Sequence, residues 1–165
     1  MAANMLTAYY SQGCDSKELF QELKIATHPD FEKHLNQYNV IHLNMRDYLT
    51  ESENMKQLIQ FVEDDLLDEL QQEFSDLRMP RRKTLVKVLE QAFAQYKIPF
   101  VFIIDEWDCI FRVHKSDATS QKEYLDFLRN LLKDKSYIAL AYMTGILPIK
   151  KYGEHSAINV FYEYS

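Results

Sequence analysis

The residue types and spacing best suited to chemistry are two adjacent acids, Asp105 and Glu106. They follow directly after the apolar run FVFII, residues 100–104. A continuously apolar run of this length is typical of a strand buried on both faces of a parallel sheet. Ligands bind beyond the carboxyl ends of such strands, so both carboxylates should emerge at a ligand site. There, one acid could hold Mg²⁺ through water and the other could polarise an attacking water.

A second polar residue, Thr144, follows another apolar run, YIALAYM at residues 137–143. This run also predicts a buried strand, and Thr144 lies at its carboxyl end, directly before Gly145. In a sheet that binds a nucleotide, a residue at this point contacts the terminal phosphate or the attacking water. The alternative interpretation is structural: the two acids form an ordinary acidic turn or helix cap, and Thr144-Gly145 only turns the chain.

The periodicity of the apolar residues predicts which elements position these side chains. Strands are predicted at residues 38–45, 100–104 and 137–143. Helices are predicted at residues 2–10, 15–23, after Ser52 through Phe74, 85–96 and after Ser120 through Leu132. Capping boxes (Asp15 with Glu18, and Ser120 with Glu123) should open two of the helices. His42 should be a half-buried structural residue of the first strand. The order β, α, α, β, α, β predicts an α/β fold with a parallel sheet and right-handed crossovers.

The composition is that of one globular domain with a large core. The chain has 165 residues, of which 47% are hydrophobic and 13% aromatic, and this excludes disordered and low-complexity classes. Its formal net charge of −6 means that nucleic acid would need a local basic patch. Two cysteines are too few for a disulfide framework. With no signal peptide and no membrane-length apolar run, we expect no membrane partner and a cytoplasmic location.

Several weaker candidates favour structural interpretations. The basic cluster of Arg78, Arg81, Arg82 and Lys83 is interpreted as a solvated loop. The acids of residues 63–69 are interpreted as the solvent face of a long helix. Asp108 should support the two acids or cap the following turn. Three cations, Arg112, Lys150 and Lys151, could act on a nucleotide in an assembled ring. The five histidines show no zinc spacing.

Four segments of the chain resemble a known family, the predicted AAA-ATPase-like domain of bacterial proteins. They are AYYSQGCDSKELFQELKI, NQYNVIHLNM, FVFIIDEWDCIF and YMTGILPIKKYGEHSAIN. The third is similar to the family's Walker B segment, usually written IDEYD, so Trp107 replaces the usual Tyr. The fourth is similar to its TGI segment. The resemblance covers nearly the whole chain, so residues 1–165 are expected to form one partial domain of this family.

The resemblance implies a fold and a set of roles. The fold is the three-layer parallel sheet of the P-loop NTPases. Asp105 is the implied magnesium residue, Glu106 the implied catalytic base and Thr144 the implied sensor. The implied cofactors are Mg²⁺ and ATP in the intact protein, with a nuclease-like C-terminal domain as a further partner in many members. The choice of ATP rests on the resemblance alone.

The chain departs from the family at one motif. The Walker A loop, G-x-x-x-x-G-K-[ST], should lie just before the first helix, and it supplies the phosphate cradle. Glycine occurs only at positions 13, 145 and 153, and none is followed by Lys, so the 165 residues contain no such loop. We therefore expect either a fragment of a longer protein or a truncated gene product, inactive by itself.

Loss of the Walker A strand has a consequence for the sheet. The strands at 39–44, 100–104 and 137–143 should be neighbours in that order, which leaves the strand at 137–143 as an exposed apolar edge. Such an edge favours pairing with another strand, so we expect self-association or a partner strand there.

Three functional hypotheses follow. The leading one is the partial core of an ATPase that holds the acids for magnesium and hydrolysis. The second is a non-catalytic interaction module with a degenerate NTPase fold. The third is a different α/β enzyme that uses Asp105 and Glu106 as a metal or acid–base pair.

Overall fold

The fold is built around one parallel sheet of three strands, seen in a computed structural model that describes residues 2–147. The strands are β1 (Asn39–Asn44), β2 (Phe100–Asp105) and β3 (Ile138–Met143), and they lie in the order β1-β2-β3. Both pairs are parallel, with Asn39 opposite Phe100 and Phe100 opposite Ile138. The α/β class and the predicted strand order are confirmed.

Helices precede β1 and also fill the two connections between the strands. The longer ones are α1 (Ala2–Tyr10), α5 (Met55–Glu73), α6 (Leu85–Tyr96) and α8 (Ala118–Leu132). The shorter ones are α2 (Lys17–Phe20), α3 (Phe31–His34), α4 (Met45–Glu51) and α7 (Cys109–Val113), with a 3-10 turn at Lys24–Thr27. No helix in residues 2–147 is long and apolar enough to cross a membrane.

The side chains of β2 alternate between two cores because successive residues of a strand face opposite sides. Phe100, Phe102 and Ile104 join the main core with α5, α6 and α8, whereas Val101 and Ile103 pack with Ala3 of α1 on the other face. Burying each of these large side chains contributes on the order of 1.5–3 kcal/mol. The central strand is therefore held from both sides, and this fixes where its carboxyl end lies.

The strand β3 corrects one prediction. It was expected to be buried on both faces, but three of its residues, Ala139, Leu140 and Tyr142, are exposed. The reason is its position: within residues 2–147 only β2 pairs with β3, and α1 packs over β1 and β2 rather than over β3. The expectation of an exposed apolar edge is met in the described residues.

The helices predicted at residues 2–10 and 85–96 are confirmed, but two predicted helix starts were wrong in detail. α2 begins at Lys17 and ends at Phe20, so Ser16 rather than Asp15 stands at its start. The Ser16 side chain does not cap the helix, because its hydroxyl donates to the Ala8 carbonyl. α8 begins two residues before Ser120, and Asp117 caps it by accepting from the Ser120 N–H.

Two further details differ from expectation. The long helix predicted after Ser52 is α5, which begins at Met55 and is capped by Asn54, whose side chain accepts from the N–H of Gln57. His42 is exposed rather than half-buried, because it alternates with Ile41 and Leu43, which face the core.

Candidate active site at the carboxyl ends of the strands

The two acids and the threonine lie at one edge of the sheet. Asp105 is the last residue of β2, Glu106 follows it, and Thr144 follows the end of β3. All three side chains are partly exposed. Because parallel neighbouring strands end at the same edge, residues that are far apart in sequence meet there.

Asp105 and Thr144 are in direct contact. The Thr144 hydroxyl donates a hydrogen bond to Oδ1 of Asp105. The backbone also holds Thr144, because its N–H donates to the Ile104 carbonyl at 2.9 Å and its carbonyl accepts from the N–H of Trp107 at 3.1 Å. The structure thus brings together two of the three residues that the sequence singles out, and it fixes the backbone of Thr144 on both sides.

Glu106 lies beside this pair in an uncommon backbone conformation. Its φ is 53°, in the left-handed region that residues with a Cβ seldom occupy. Such a conformation costs on the order of 1 kcal/mol or more and persists only where the surroundings impose it. The Glu106 carboxylate forms an ion pair with the guanidinium of Arg112, one turn into α7.

Arg112 joins Glu106 to a third acid, Asp108. Its Nε lies 3.3 Å from Oδ2 of Asp108, which is an ion-pair distance without the geometry of a hydrogen bond. Burial lowers the pKa of Arg112, but the hydrogen bond to Glu106 and the charges of Asp108 and Glu106 outweigh that effect. The net pKa is therefore above its ordinary value, so the guanidinium stays charged and holds both carboxylates.

Asp108 is fully buried, with 0% of its surface exposed. It stands at the start of α7 without capping that helix. Its Oδ2 instead accepts from the backbone N–H groups of Ile146 and Leu147, at 3.0 and 2.9 Å. Of the two roles predicted for Asp108, the helix cap was wrong, and its contacts connect the acidic residues to the segment that carries Thr144.

The donor set can be tested for its fit to Mg²⁺. This ion prefers oxygen ligands and is usually held by one or two carboxylates together with water and substrate phosphates. Asp105 and the Thr144 hydroxyl supply oxygen donors at one point, which fits such an ion. Within residues 2–147 no group of three or more His, Cys, Asp or Glu could hold a metal ion unaided.

The remaining candidates are surface features or fall outside the described residues. The basic cluster is exposed, as expected for a solvated loop; its residues are Arg78, Arg81, Arg82 and Lys83. Most acids of residues 63–69 are on the exposed face of α5. Lys150 and Lys151 fall outside the described residues. An open cleft of about 470 Å³ lies at the opposite edge of the sheet, beside Asn39 and Phe100.

Trp107 and Gly145 pack closely at this edge, and sequence reasoning missed this relationship. Trp107 is 2% exposed, and its carbonyl accepts from the buried hydroxyl of Tyr124. A Cβ on Gly145 would lie 2.7 Å from the Trp107 ring and 2.7 Å from Oδ1 of Asp108. The signal available in the sequence was the rarity of glycine, which makes a glycine directly after Thr144 informative.

The fold and this edge define a class: an α/β protein with a parallel sheet and acidic residues at the carboxyl end of its central strand. The family model described as Predicted AAA-ATPase matches residues 1–153. The chain therefore belongs to the predicted AAA-ATPase family. No curated protein matches the chain. No solved structure matches it.

Proposed function

We propose that this chain supplies the acidic part of the active site of a Mg²⁺-dependent ATPase with a P-loop NTPase type of sheet. The observation that carries the proposal is the contact between Asp105 and Thr144 at the carboxyl ends of β2 and β3. Membership of the predicted AAA-ATPase family supports the choice of nucleotide. A bound Mg²⁺ would neutralise developing charge on the phosphates during their transfer to water.

The chain's own residues have distinct roles in this proposal. Asp105 would hold the magnesium, and the Thr144 hydroxyl donates to Asp105 at the same point. Glu106 is the general base that orients and polarises the attacking water. Its ion pair with Arg112 holds the carboxylate in one direction, so this pair must loosen before the carboxylate can take the proton of the attacking water.

The phosphate-binding loop is not among the 165 residues, since they contain no G-x-x-x-x-G-K-[ST] sequence. That loop provides the backbone N–H groups and the lysine that contact the phosphates. We therefore propose that residues 1–165 alone bind nucleotide poorly. The ATPase proposal itself is tested by reading the frame upstream of the Met1 codon. An in-frame Walker A motif supports the ATPase, and a stop codon or unrelated sequence overturns it.

The role of Glu106 is tested by turnover of ATP in the natural full-length chain with Mg²⁺. Glu106→Gln should lower kcat by about 100-fold or more, because a general base contributes about that much, while nucleotide binding is retained. Glu32→Gln is the matched control, since Glu32 also pairs with a cation, Lys17, but on the exposed surface. Unchanged turnover in Glu106→Gln would show that the assignment of the base is wrong.

A second candidate function is an interaction module with a degenerate NTPase fold. The observation in its favour is the open edge of β3, where Leu140 and Tyr142 are each 37% exposed. An unpaired strand with exposed apolar side chains favours pairing with a further strand. This function becomes the preferred one if the upstream sequence lacks the phosphate-binding loop.

A further inference from the structure

We propose that Asp108 is a positioning residue for Thr144. Its buried carboxylate fixes the segment at residues 144–147, here called the Thr144 loop, and thereby holds the Thr144 hydroxyl against Asp105. The kinetic part of this proposal rests on the proposed ATPase function, whereas its structural part does not.

The first argument is the set of partners that Asp108 has. A carboxylate at the start of a helix ordinarily accepts from that helix's own N–H groups. Asp108 makes no such bond and accepts instead from Ile146 and Leu147, which are 38 and 39 residues away in sequence. Hydrogen bonds to a charged acceptor are stronger than those between neutral groups. The carboxylate is therefore directed at the Thr144 loop.

The second argument is that packing alone does not hold this loop. The side chain of Ile146 is 74% exposed, so it contributes little apolar burial. Leu147 packs against the main core only in part. Burying a carboxylate is costly, and an apolar residue would fill the same space at lower cost. The charged group at position 108 is thus explained by its ion pair with Arg112 together with the two N–H groups from which it accepts.

The third argument is the fit around Gly145. Oδ1 of Asp108 is buried and has no hydrogen-bond partner in the described structure. It faces the position that a Cβ on residue 145 would occupy, at 2.7 Å. The Trp107 ring closes the same space from the other side. The chain can pass between these two side chains only because residue 145 is a glycine.

These contacts connect Asp108 to the chemistry. Trp107 and Asp108 are consecutive, and they hold the two ends of the Thr144 loop: Trp107 N–H donates to the Thr144 carbonyl, and Asp108 accepts from Ile146 and Leu147. Thr144 in turn donates to Asp105. Removing Asp108 releases one end of the loop, so Thr144 keeps its backbone bonds but loses its fixed direction.

The structural test measures amide hydrogen exchange at Ile146 and Leu147 together with the emission of Trp107, the only tryptophan in the chain. In Asp108→Ala, exchange at both amides should accelerate about tenfold or more, because a charged acceptor is lost. Trp107 emission should shift to longer wavelength. Asp108→Asn keeps one acceptor oxygen and should restore most of the protection.

The matched control is Asp117→Ala. Asp117 also accepts a backbone N–H, that of Ser120 at 3.0 Å, but it does so at the start of α8. This variant should leave the Ile146 and Leu147 amides and Trp107 emission unchanged. If Asp108→Ala does not fold, Asp108→Asn and Gly145→Ala remain, and Gly145→Ala should expose the same amides by pushing the loop away from Asp108 and Trp107. Unchanged protection at Ile146 and Leu147 in Asp108→Ala, or in Gly145→Ala where Asp108→Ala does not fold, overturns the proposal.

The kinetic test uses the natural full-length chain. Asp108→Ala should lower kcat for ATP by about 10–100-fold at a nearly unchanged KM, because a misplaced group affects turnover more than binding. Asp108→Asn should recover most of the rate. If the wild-type chain has no turnover, the ATPase proposal fails while the exchange result still decides the role of Asp108. If turnover is present and Asp108→Ala matches wild type, the positioning role is wrong.

Discussion

The buried hydroxyl of Tyr124 donates a hydrogen bond to the backbone carbonyl of Trp107, at 2.9 Å. Tyr124 belongs to α8 and is 0% exposed, and burial raises the pKa of its hydroxyl well above the ordinary value. The hydroxyl therefore stays protonated, and able to donate, above the usual range of a tyrosine. A core helix thus supports the turn between β2 and α7 from behind.

Replacing Tyr124 with Phe should lower the free energy of unfolding by about 1–2 kcal/mol, because the Trp107 carbonyl loses its side-chain donor. It should also shift the emission of Trp107. Tyr137→Phe is the control, since Tyr137 donates a buried hydroxyl to the Leu131 carbonyl at 2.5 Å, away from the tryptophan. Urea unfolding and tryptophan fluorescence measure both effects. Equal emission changes in the two variants would contradict the link between Tyr124 and the turn.

Arg112 offers a second test, because it is the cation between two acids. Arg112→Gln leaves the buried carboxylate of Asp108 without its ion pair, which should cost about 2–4 kcal/mol of unfolding free energy. Lys87→Gln, which breaks an exposed pair with Glu90, should cost less than about 1 kcal/mol. Chemical denaturation compares them. A similar small loss in both would mean that Arg112 is only a surface cation.

The thiol of Cys109 predicts a pH dependence of stability. Burial raises its pKa from 9.0 to about 11. Between these two values the unfolded thiol ionises and the folded one does not, so stability that is present below pH 9 is lost as the pH rises toward 11. Each pH unit in this window should cost up to about 1.4 kcal/mol.

This effect is isolated by comparing two cysteine variants. Cys109→Ala should show a shallower loss of unfolding free energy above pH 9 than wild type, since it lacks the titrating group. Cys14→Ala should keep the wild-type slope, because Cys14 is exposed. The tyrosines contribute equally to all three proteins. Parallel slopes in wild type and Cys109→Ala would contradict the prediction.

The open edge of β3 predicts an association equilibrium. We propose that two copies pair through this strand, because its outward backbone groups have no partner strand within residues 2–147. Leu140→Lys should shift the protein toward monomer, since a lysine on an edge strand opposes pairing. Leu19→Lys is the control, at a leucine of α2 that is 68% exposed. Sedimentation velocity at increasing concentration decides, and a monomer at every concentration would exclude the pairing.

The central strand and the position of the two acids could be predicted because their signal is local. Five apolar residues followed by Asp105 and Glu106 specify a buried strand and what lies at its end. The order of the three strands came from the family resemblance, and the structure confirms it. The length and composition of β3 predicted a strand, but its exposure depends on which neighbours are present, which is a property of the whole sheet.

The helix starts and the supporting contacts could not be predicted in the same way. Serine is a common helix cap, but the hydroxyl of Ser16 instead donates a hydrogen bond to the Ala8 carbonyl. The backbone is left-handed at Lys97 and Glu106, although neither residue is a glycine that would have indicated it in the sequence. Asp108 gave two possible roles from sequence, and only the distant N–H groups of Ile146 and Leu147 reveal its actual partners.

The strand order also affects how the chain folds during synthesis. β1 pairs only with β2 among the described strands, and residues 45–99 separate them. At the usual speed of a ribosome this interval takes on the order of 3–10 s to translate. During that time the apolar residues Ile41 and Leu43 have no sheet to join. β1 therefore stays without its strand partner until β2 has been synthesised.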